Sequence, residues 1–301
     1  ASNREVNHYG QVTGNRGSFN LHLGDWESSE YMEIHDNVVQ DLSVIQCYNI
    51  ELYDFQINGR FTIGWSDVYL HDVEIAGSVN TSASDCLVED CLIDLQSFNS
   101  SHVTVRNCVI NPSGLYSSFA RNSEMLVENC LIYGSNRFAN NHNTIIRNNT
   151  FVFDRYAIKF SRENPDIYIY NNIFIGDIEE SIALKNDSQE VFHPDYVDYN
   201  CFYQVSAPVY NVEIGDHNLI DVDPQFCGGD PFDYHLQANS PCIDAGDPDS
   251  PLDPDNTRAD IGAWFYDQTL DNPPCINVDL YPVEQAGTEV TFTATAVDDH
   301  G

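Results

Sequence analysis

Only 12 of the 301 residues are Lys or Arg, against 47 Asp and Glu, so every cation in this chain is conspicuous. Their one cluster is Arg155, Lys159 and Arg162, with Arg137, Arg147 and Lys185 near in sequence. Tyr156 and Tyr170 add aromatic surface beside them. In Tyr156-Ala157-Ile158-Lys159-Phe160 the period-two alternation points Ile158 and Phe160 inward and Lys159 outward. Lys159, Arg162, Arg155 and Tyr156 are the candidate catalytic residues. The alternative is that scattered charges keep the protein soluble. A second chemistry needs two carboxylates about 5–10 Å apart, as in glycoside hydrolysis. Asp67 with Asp85, or Glu74 with Asp94, are candidate pairs. With 47 acids in the chain, chance pairs are unavoidable.

A third chemistry is cation binding. The loop from Asp244 to Asn256 carries Asp247, Asp249, Asp253 and Asp255 between prolines. Hard cations such as Ca2+ take six to eight oxygens, about the number such a loop offers, although the spacing is not that of an EF-hand. A structural Ca2+ at these four aspartates competes with a solvated Pro-Asp turn. His193, His217 and His235 are isolated, which suits hydrogen-bonded structural residues. None of the nine cysteines has zinc-site spacing. Their odd number leaves at least one thiol unpaired within the chain.

The formal charge of −35 excludes nucleic acid and anionic membrane surfaces as partners, because both need basic residues. No apolar run reaches the length of a spanning helix, so membrane insertion is excluded too. Disorder is excluded by the 42% hydrophobic and 12% aromatic content. High acidity, scarce Lys and abundant Asn, Ser and Tyr suggest an extracellular, secreted or cell-surface setting. With no initiator Met and no signal segment at Ala1, the sequence reads as a processed chain or a fragment.

What would position these residues is a repeat. An aliphatic residue, any residue, then Asn or Asp, then a small or apolar residue recurs. The Asx positions are Asp36, Asp54, Asp72, Asp90, Asn107, Asn129, Asn148 and Asn171, with a ninth turn expected at Asn200. Asx tolerates the left-handed backbone conformation, and its flanks alternate apolar and polar, so each marks a bend between short strands. Units of about 20 residues hold three short strands and three turns, which is the arithmetic of a parallel β-helix. The fold expected is all-β: a β-solenoid of about nine coils, stacked ~4.8 Å apart, with a short C-terminal β segment. The position after each Asx should point inward, stacking Cys91, Cys108 and Cys130, then Asn149 and Asn172. Small hydrophobes filling a narrow core, an inter-coil disulfide, and a metal or redox column are the three readings of that cysteine column. The six-residue aliphatic-Gly motif of left-handed solenoids is missing, so the right-handed form is expected.

The units VRNCVI, VENCLI, IRNNTFVF and YNNIFIG resemble those of secreted bacterial right-handed parallel β-helix proteins, the pectate-lyase-like superfamily. So does the C-terminal string from Asp223-Pro224 through Tyr234-His235-Leu236 and Ser240-Pro241-Cys242 to Asp260-Ile261-Gly262-Ala263. The resemblance implies a β-helix over residues 1–270, closed by an Asp-rich segment at 221–267. Residues 271–301 resemble a linker and the first strands of an incomplete immunoglobulin-like module. Uronan lyases of this fold use a Lys or Arg base beside Ca2+, but no catalytic motif of the family matches residue by residue. Three functions are implied: a structural or adhesive module of a surface protein or filament, a polysaccharide lyase or hydrolase, and non-catalytic carbohydrate binding. Exposed strands at the coil ends would let copies pair end to end or complement one another's strands, giving a homo-oligomer or filament. Carboxylates stacked along the rod would repel unless screened by salt or bridged by Ca2+.

Overall fold

The computed structural model describes residues 3–5, 12–13, 20–26, 32–82, 84–94, 97–99, 102–111, 117–121, 124–139, 141–161, 166–176, 180–188, 191–228, 232–270, 275–278 and 294–297. All regular elements among them are β-strands, and the architecture is a parallel β-solenoid. Strands such as Phe61–Gly64, Asn136–Ala139, Tyr156–Ser161, Ile182–Asn186 and Ala207–Tyr210 stack into an eleven-stranded first sheet. A second sheet has two arms per coil, for example His102–Arg106 and Val109–Ile110, joined at a corner. Each arm pairs in parallel with its equivalents on the neighbouring coils.

The corners are where the repeat placed them. Asp36, Asp54, Asp72, Asp90, Asn107, Asn129, Asn148 and Asn171 all have φ between 48° and 56°. Asx adopts this region more cheaply than other side-chain-bearing residues, which explains the choice. The ninth corner differs from the expectation: Tyr199, not Asn200, has the left-handed φ of 54°. Asn200 instead takes the inward position that follows the corner. There it extends the internal column of Cys91, Cys108, Cys130, Asn149 and Asn172, all buried.

That column changes its chemistry along the rod. Each cysteine thiol donates to the backbone carbonyl two residues earlier, at 3.0, 3.1 and 3.2 Å for Cys91, Cys108 and Cys130. From Asn149 onward the side chains form an amide ladder. Asn149 Nδ2 donates to Asn172 Oδ1, Asn172 Nδ2 to Asn200 Oδ1, and Asn200 Nδ2 to Asn218 Oδ1, at 3.0, 3.0 and 3.1 Å. The same oxygens accept the backbone N–H groups of Asn149, Asn172 and Asn200. Buried amides are thus fully engaged, as a dry core requires. A parallel column of apolar side chains fills the rest. Ile57, Ile75, Ile93, Ile110 and Ile132 precede Phe151, Phe174 and Phe202, whose rings stack at 4.9 and 5.1 Å.

Residues 221–228 and 232–268 form a strap along the outside of the last coils. Leu92, Val109, Leu131, Thr150, Ile173 and Cys201 occupy one outward register position on successive coils. Leu92 is 47% exposed, whereas Ile173 and Cys201 are 0% exposed. The difference is the strap, whose Leu236, Cys242 and Ile261 pack on Ile173 and Cys201. Asn148 and Asn171 hold it by donating to Asp260 O and Ser250 Oγ at 3.0 and 3.1 Å. Asn171 also accepts from the backbone N–H groups of Asp247 and Gly262. Gly262 has a φ of 121°, and a Cβ there would meet Ile173 Cδ1 at 2.8 Å. Beyond the strap, strands Cys275–Val278 and Ala294–Val297 pair antiparallel, and a Cys227–Cys275 disulfide ties the first of them to the strap. The other seven cysteines are free and buried.

Candidate functional site

The basic residues of the first sheet converge. Arg137, Lys159, Lys185 and Tyr210 follow one another in register on four successive strands. Strand alternation buries Ile158, Phe160 and Leu184, so Lys159 and Lys185 turn outward as expected. Tyr156 lies almost wholly buried between the cations. Lys159 Nζ is 5.4 Å from its ring centre, and Arg155 Cζ and Lys185 Nζ are each 5.9 Å away. Lys185 also stands 5.8 Å from the Tyr210 ring. These are cation–π distances, which hold the two ammonium groups over aromatic faces. Arg137 Nε donates to Ser161 Oγ at 2.9 Å.

One carboxylate joins the patch. Asp187 accepts from Lys159, and from Lys185 at 3.3 Å. The hydrogen bond from Lys159 holds the Asp187 carboxyl below its usual range, against the opposing effect of burial, and Lys185 adds to the lowering. In this pairing the Lys159 nitrogen donates rather than accepts, so base chemistry needs the pair broken first. What remains is a column of cations, one per coil, spaced ~4.8 Å apart along the rod.

Sequence proximity grouped this patch imperfectly. Arg147 and Tyr170 face outward from the second sheet instead. There Arg147 grips Glu128 through Nε and Nη2 at 2.9 and 2.6 Å and reaches the Tyr170 hydroxyl at 3.4 Å. They belong to a charge ladder, Glu89–Arg106–Glu128–Arg147, that alternates sign coil by coil. Arg162 lies outside the described residues. Asp187 and Tyr210 were missed, because both come from later coils and only the register brings them in.

The carboxylate pairs fare differently from one another. Asp67 and Asp85 do face each other in register, and burial, then the Asp85 charge, raises the Asp67 carboxyl. Asp85 is engaged by His102 at 2.8 Å. Glu74 is opposite Leu92 and Gln56, so Asp94 falls two residues out of register with it.

The four loop aspartates are spread over the strap. Asp247 accepts from the Tyr196 hydroxyl and the Asp249 N–H, both at 2.9 Å. Asp253 accepts the Asp260 N–H at 2.8 Å, and Asp255 accepts from Thr257 and Gln268. Asp249 is exposed. These bonds brace turns of the strap. Burial raises Asp253 to about 6 and Asp260 to about 7. Among the described residues no group of three or more His, Cys, Asp or Glu is placed to hold a metal ion. His193, His217 and His235 each bond one carboxylate, as structural histidines do.

A second concavity, of about 730 Å³, opens between the last coils and the strap. Tyr203, Phe226, Phe232 and Tyr234 supply its aromatic walls and Gln204 and Asp223 its polar ones. Sequence reasoning missed it, because the hairpin that carries Phe226 and Tyr234 is placed only by the folding back of the strap.

Fold and site together define a parallel β-solenoid carrying a basic-aromatic column on an otherwise acidic chain. The chain matches no known protein family, and no curated protein. Among solved structures it is similar to one described as the crystal structure of pectate lyase Pel9A. The identity is 10%, the similarity covers 88% of this chain and 86% of that one, and the TM-score is 0.38. Among the described residues no helix is long and apolar enough to cross a membrane.

Proposed function

We propose that this chain is an extracellular β-solenoid module of a surface protein that acts by adhesion, holding acidic glycans along its first sheet without cleaving them. One observation carries this reading. A chain of net charge −35 gathers Arg137, Lys159 and Lys185 in register around Tyr156 and Tyr210. Random placement of 12 cations among 301 residues does not favour such a column. Its repeat suits a polymer with regularly spaced carboxylates lying parallel to the rod. The Cys227–Cys275 disulfide supports an oxidising, extracellular setting.

The test is affinity electrophoresis and calorimetry with polygalacturonate as the probe. Retention should fall at least tenfold in a Lys159→Ala, Lys185→Ala double variant and should weaken with salt. No retention, or equal retention by the double variant, would reject the proposal. The outward Lys159 also favours a second reading, a polysaccharide lyase or hydrolase. Release of unsaturated or reducing ends from the same polymer would establish it in place of simple binding.

Self-association, if it occurs, should not use the C-terminal end of the first sheet. The Ala207 N–H donates inward to Ser181 O, so the next residue faces the open edge. That residue is Pro208, which has no N–H to offer another strand.

A further inference from the structure

We propose that Cys201 and Cys242 are the site of a disulfide that fastens the strap to the solenoid, independently of any glycan binding. The two thiols lie close enough to interact across the seam between coil and strap, where the Cys201 thiol donates to Val222 O at 3.3 Å. Both residues are 0% exposed and share one apolar cluster with Ile173, Leu236 and Ile261. Cys201 opens the strand Cys201–Tyr203, whereas Cys242 lies in a strap turn held by Ser240, whose hydroxyl accepts the Cys242 N–H at 3.1 Å. No other free pair joins two separately folded segments. Cys91, Cys108 and Cys130 stack at one corner position within the solenoid, where a bond would join only neighbouring coils. The strap already holds one disulfide, Cys227–Cys275, so conditions that oxidise that pair also reach this one.

The chemistry is thiol–disulfide exchange with a small-molecule disulfide such as oxidised glutathione. One cysteine loses its proton and its thiolate attacks the donor disulfide, releasing one donor thiol and leaving a mixed disulfide. The second cysteine, also deprotonated, attacks the protein sulfur of that mixed disulfide. The protein S–S bond forms, the second donor thiol leaves, and the donor carries away both electrons and both protons. The nucleophile is the thiolate, and in the closed strap contact with Cys242, together with burial, pushes the Cys201 thiol upward. The closed strap therefore resists oxidation, and the bond forms while the strap is still off the coils. Once formed, it closes a loop between residues 201 and 242, a sequence separation of 41, and holds in place the strap segment that braces Asn148 and Asn171.

The test is to refold the whole chain in a glutathione redox buffer, count thiols under denaturing conditions and map peptides without reduction. With Cys227–Cys275 alone, seven thiols react; with the second bond, five do. The expected result is five thiols and a linked Cys201–Cys242 peptide. Proteolysis within 245–260 should then be at least tenfold slower than in the protein refolded under reductant. Cys201→Ser and Cys242→Ser should each restore rapid cleavage, whereas Cys227→Ser should leave the linked peptide intact. Recovery of Cys201 and Cys242 both alkylated, or of Cys242 linked to a different cysteine, overturns the proposal. So does equal cleavage of the oxidised and reduced proteins.

Discussion

Asn172 offers the sharpest test of how the solenoid holds its core. Asn172→Ala removes one oxygen and one amide from the middle of the ladder. The oxygen accepts the backbone and side-chain N–H groups of Asn149, both at 3.0 Å. The amide donates to Ile146 O, Tyr170 O and Asn200 Oδ1 at 2.9, 2.9 and 3.0 Å. The Asn149 side chain keeps two other acceptors, Val127 O and Arg147 O, so its own loss is small. The Asn149 backbone N–H loses the acceptor that the ladder gives it. A buried group left unpaired costs about 1–3 kcal/mol, and each lost bond about 1 kcal/mol net, so the total is about 3–5 kcal/mol. At ~2–4 °C per kcal/mol, the melting midpoint should fall by roughly 10 °C. Asn172→Cys should cost about half as much. The sequence makes that exchange itself two coils earlier, where Cys130 Sγ stands 3.5 Å from the Cys108 N–H. Thermal and urea melts followed by far-UV circular dichroism, with hydrogen exchange at the Asn149 amide, would measure it. If Asn172→Leu melts like the wild type, or if Ala and Cys cost the same, the ladder is not what stabilises these coils.

Four further outcomes follow from charge and packing. His71 is partly buried, which alone would lower its pKa, but bonds to Asp72 and Glu51 raise it on balance. A raised folded value stabilises below the unfolded value of about 6.5 and is lost as pH rises through the folded one. His71→Gln should therefore destabilise more at pH 5 than at pH 8, and an equal loss at both would refute this. For Asp253 and Asp260, raised by burial to about 6 and about 7, stability is full below the unfolded carboxylate value and lost as pH climbs to 7. Fluorescence of Trp264, which stacks on His235 at 4.9 Å, should report a looser strap at pH 8 than at pH 5. Exposed corner aspartates such as Asp54 and Asp72, on coils ~4.8 Å apart, repel by about 0.9 kcal/mol per pair in bulk water. Added NaCl or Ca2+ should accordingly raise the melting midpoint, and a midpoint indifferent to salt, Ca2+ and EDTA would count against this account. Finally, Gly262→Ala should free the strap while leaving the coils folded, read as faster proteolysis within 245–260 at unchanged β-sheet signal.

The coil was legible because each of its turns carries the same chemical demand. A left-handed corner favours Asx, and the position after it is buried in the core, so Asn107-Cys108 and Asn148-Asn149 announce themselves. Tyr199 broke the rule and displaced the expected corner by one residue. Its ring stacks on His217 at 4.8 Å and lies under Arg258 at 5.6 Å. Packing against neighbours outweighs the Asx preference there. The sites were less legible, because outward positions face no shared constraint. Lys159 could be aimed outward by alternation alone. Asp187 and Tyr210 joined it through register, which local sequence does not reveal. Asp247, Asp253 and Asp255 read as ligands because acid-rich loops suit cations, yet each also has a backbone or hydroxyl donor to satisfy.

The strap explains why the C-terminal string is so particular. Each residue of Asp260-Ile261-Gly262-Ala263 answers a separate need of the seam. Asp260 accepts the N–H groups of Asp244 and Tyr266, both at 2.7 Å. Ile261 fills the apolar seam over Ile173 and Cys201. Gly262 permits the close approach, and Ala263 donates to Thr150 Oγ1 at 3.2 Å. These needs exist only because the outward position of the last coils is apolar, unlike a solvated face. Uncovered, Ile173 and Cys201 would form an apolar stripe inviting other chains. The strap thus ends the repeat by a lateral seal, and Pro208 removes one donor from the first-sheet edge. Both devices act at the same end of the rod.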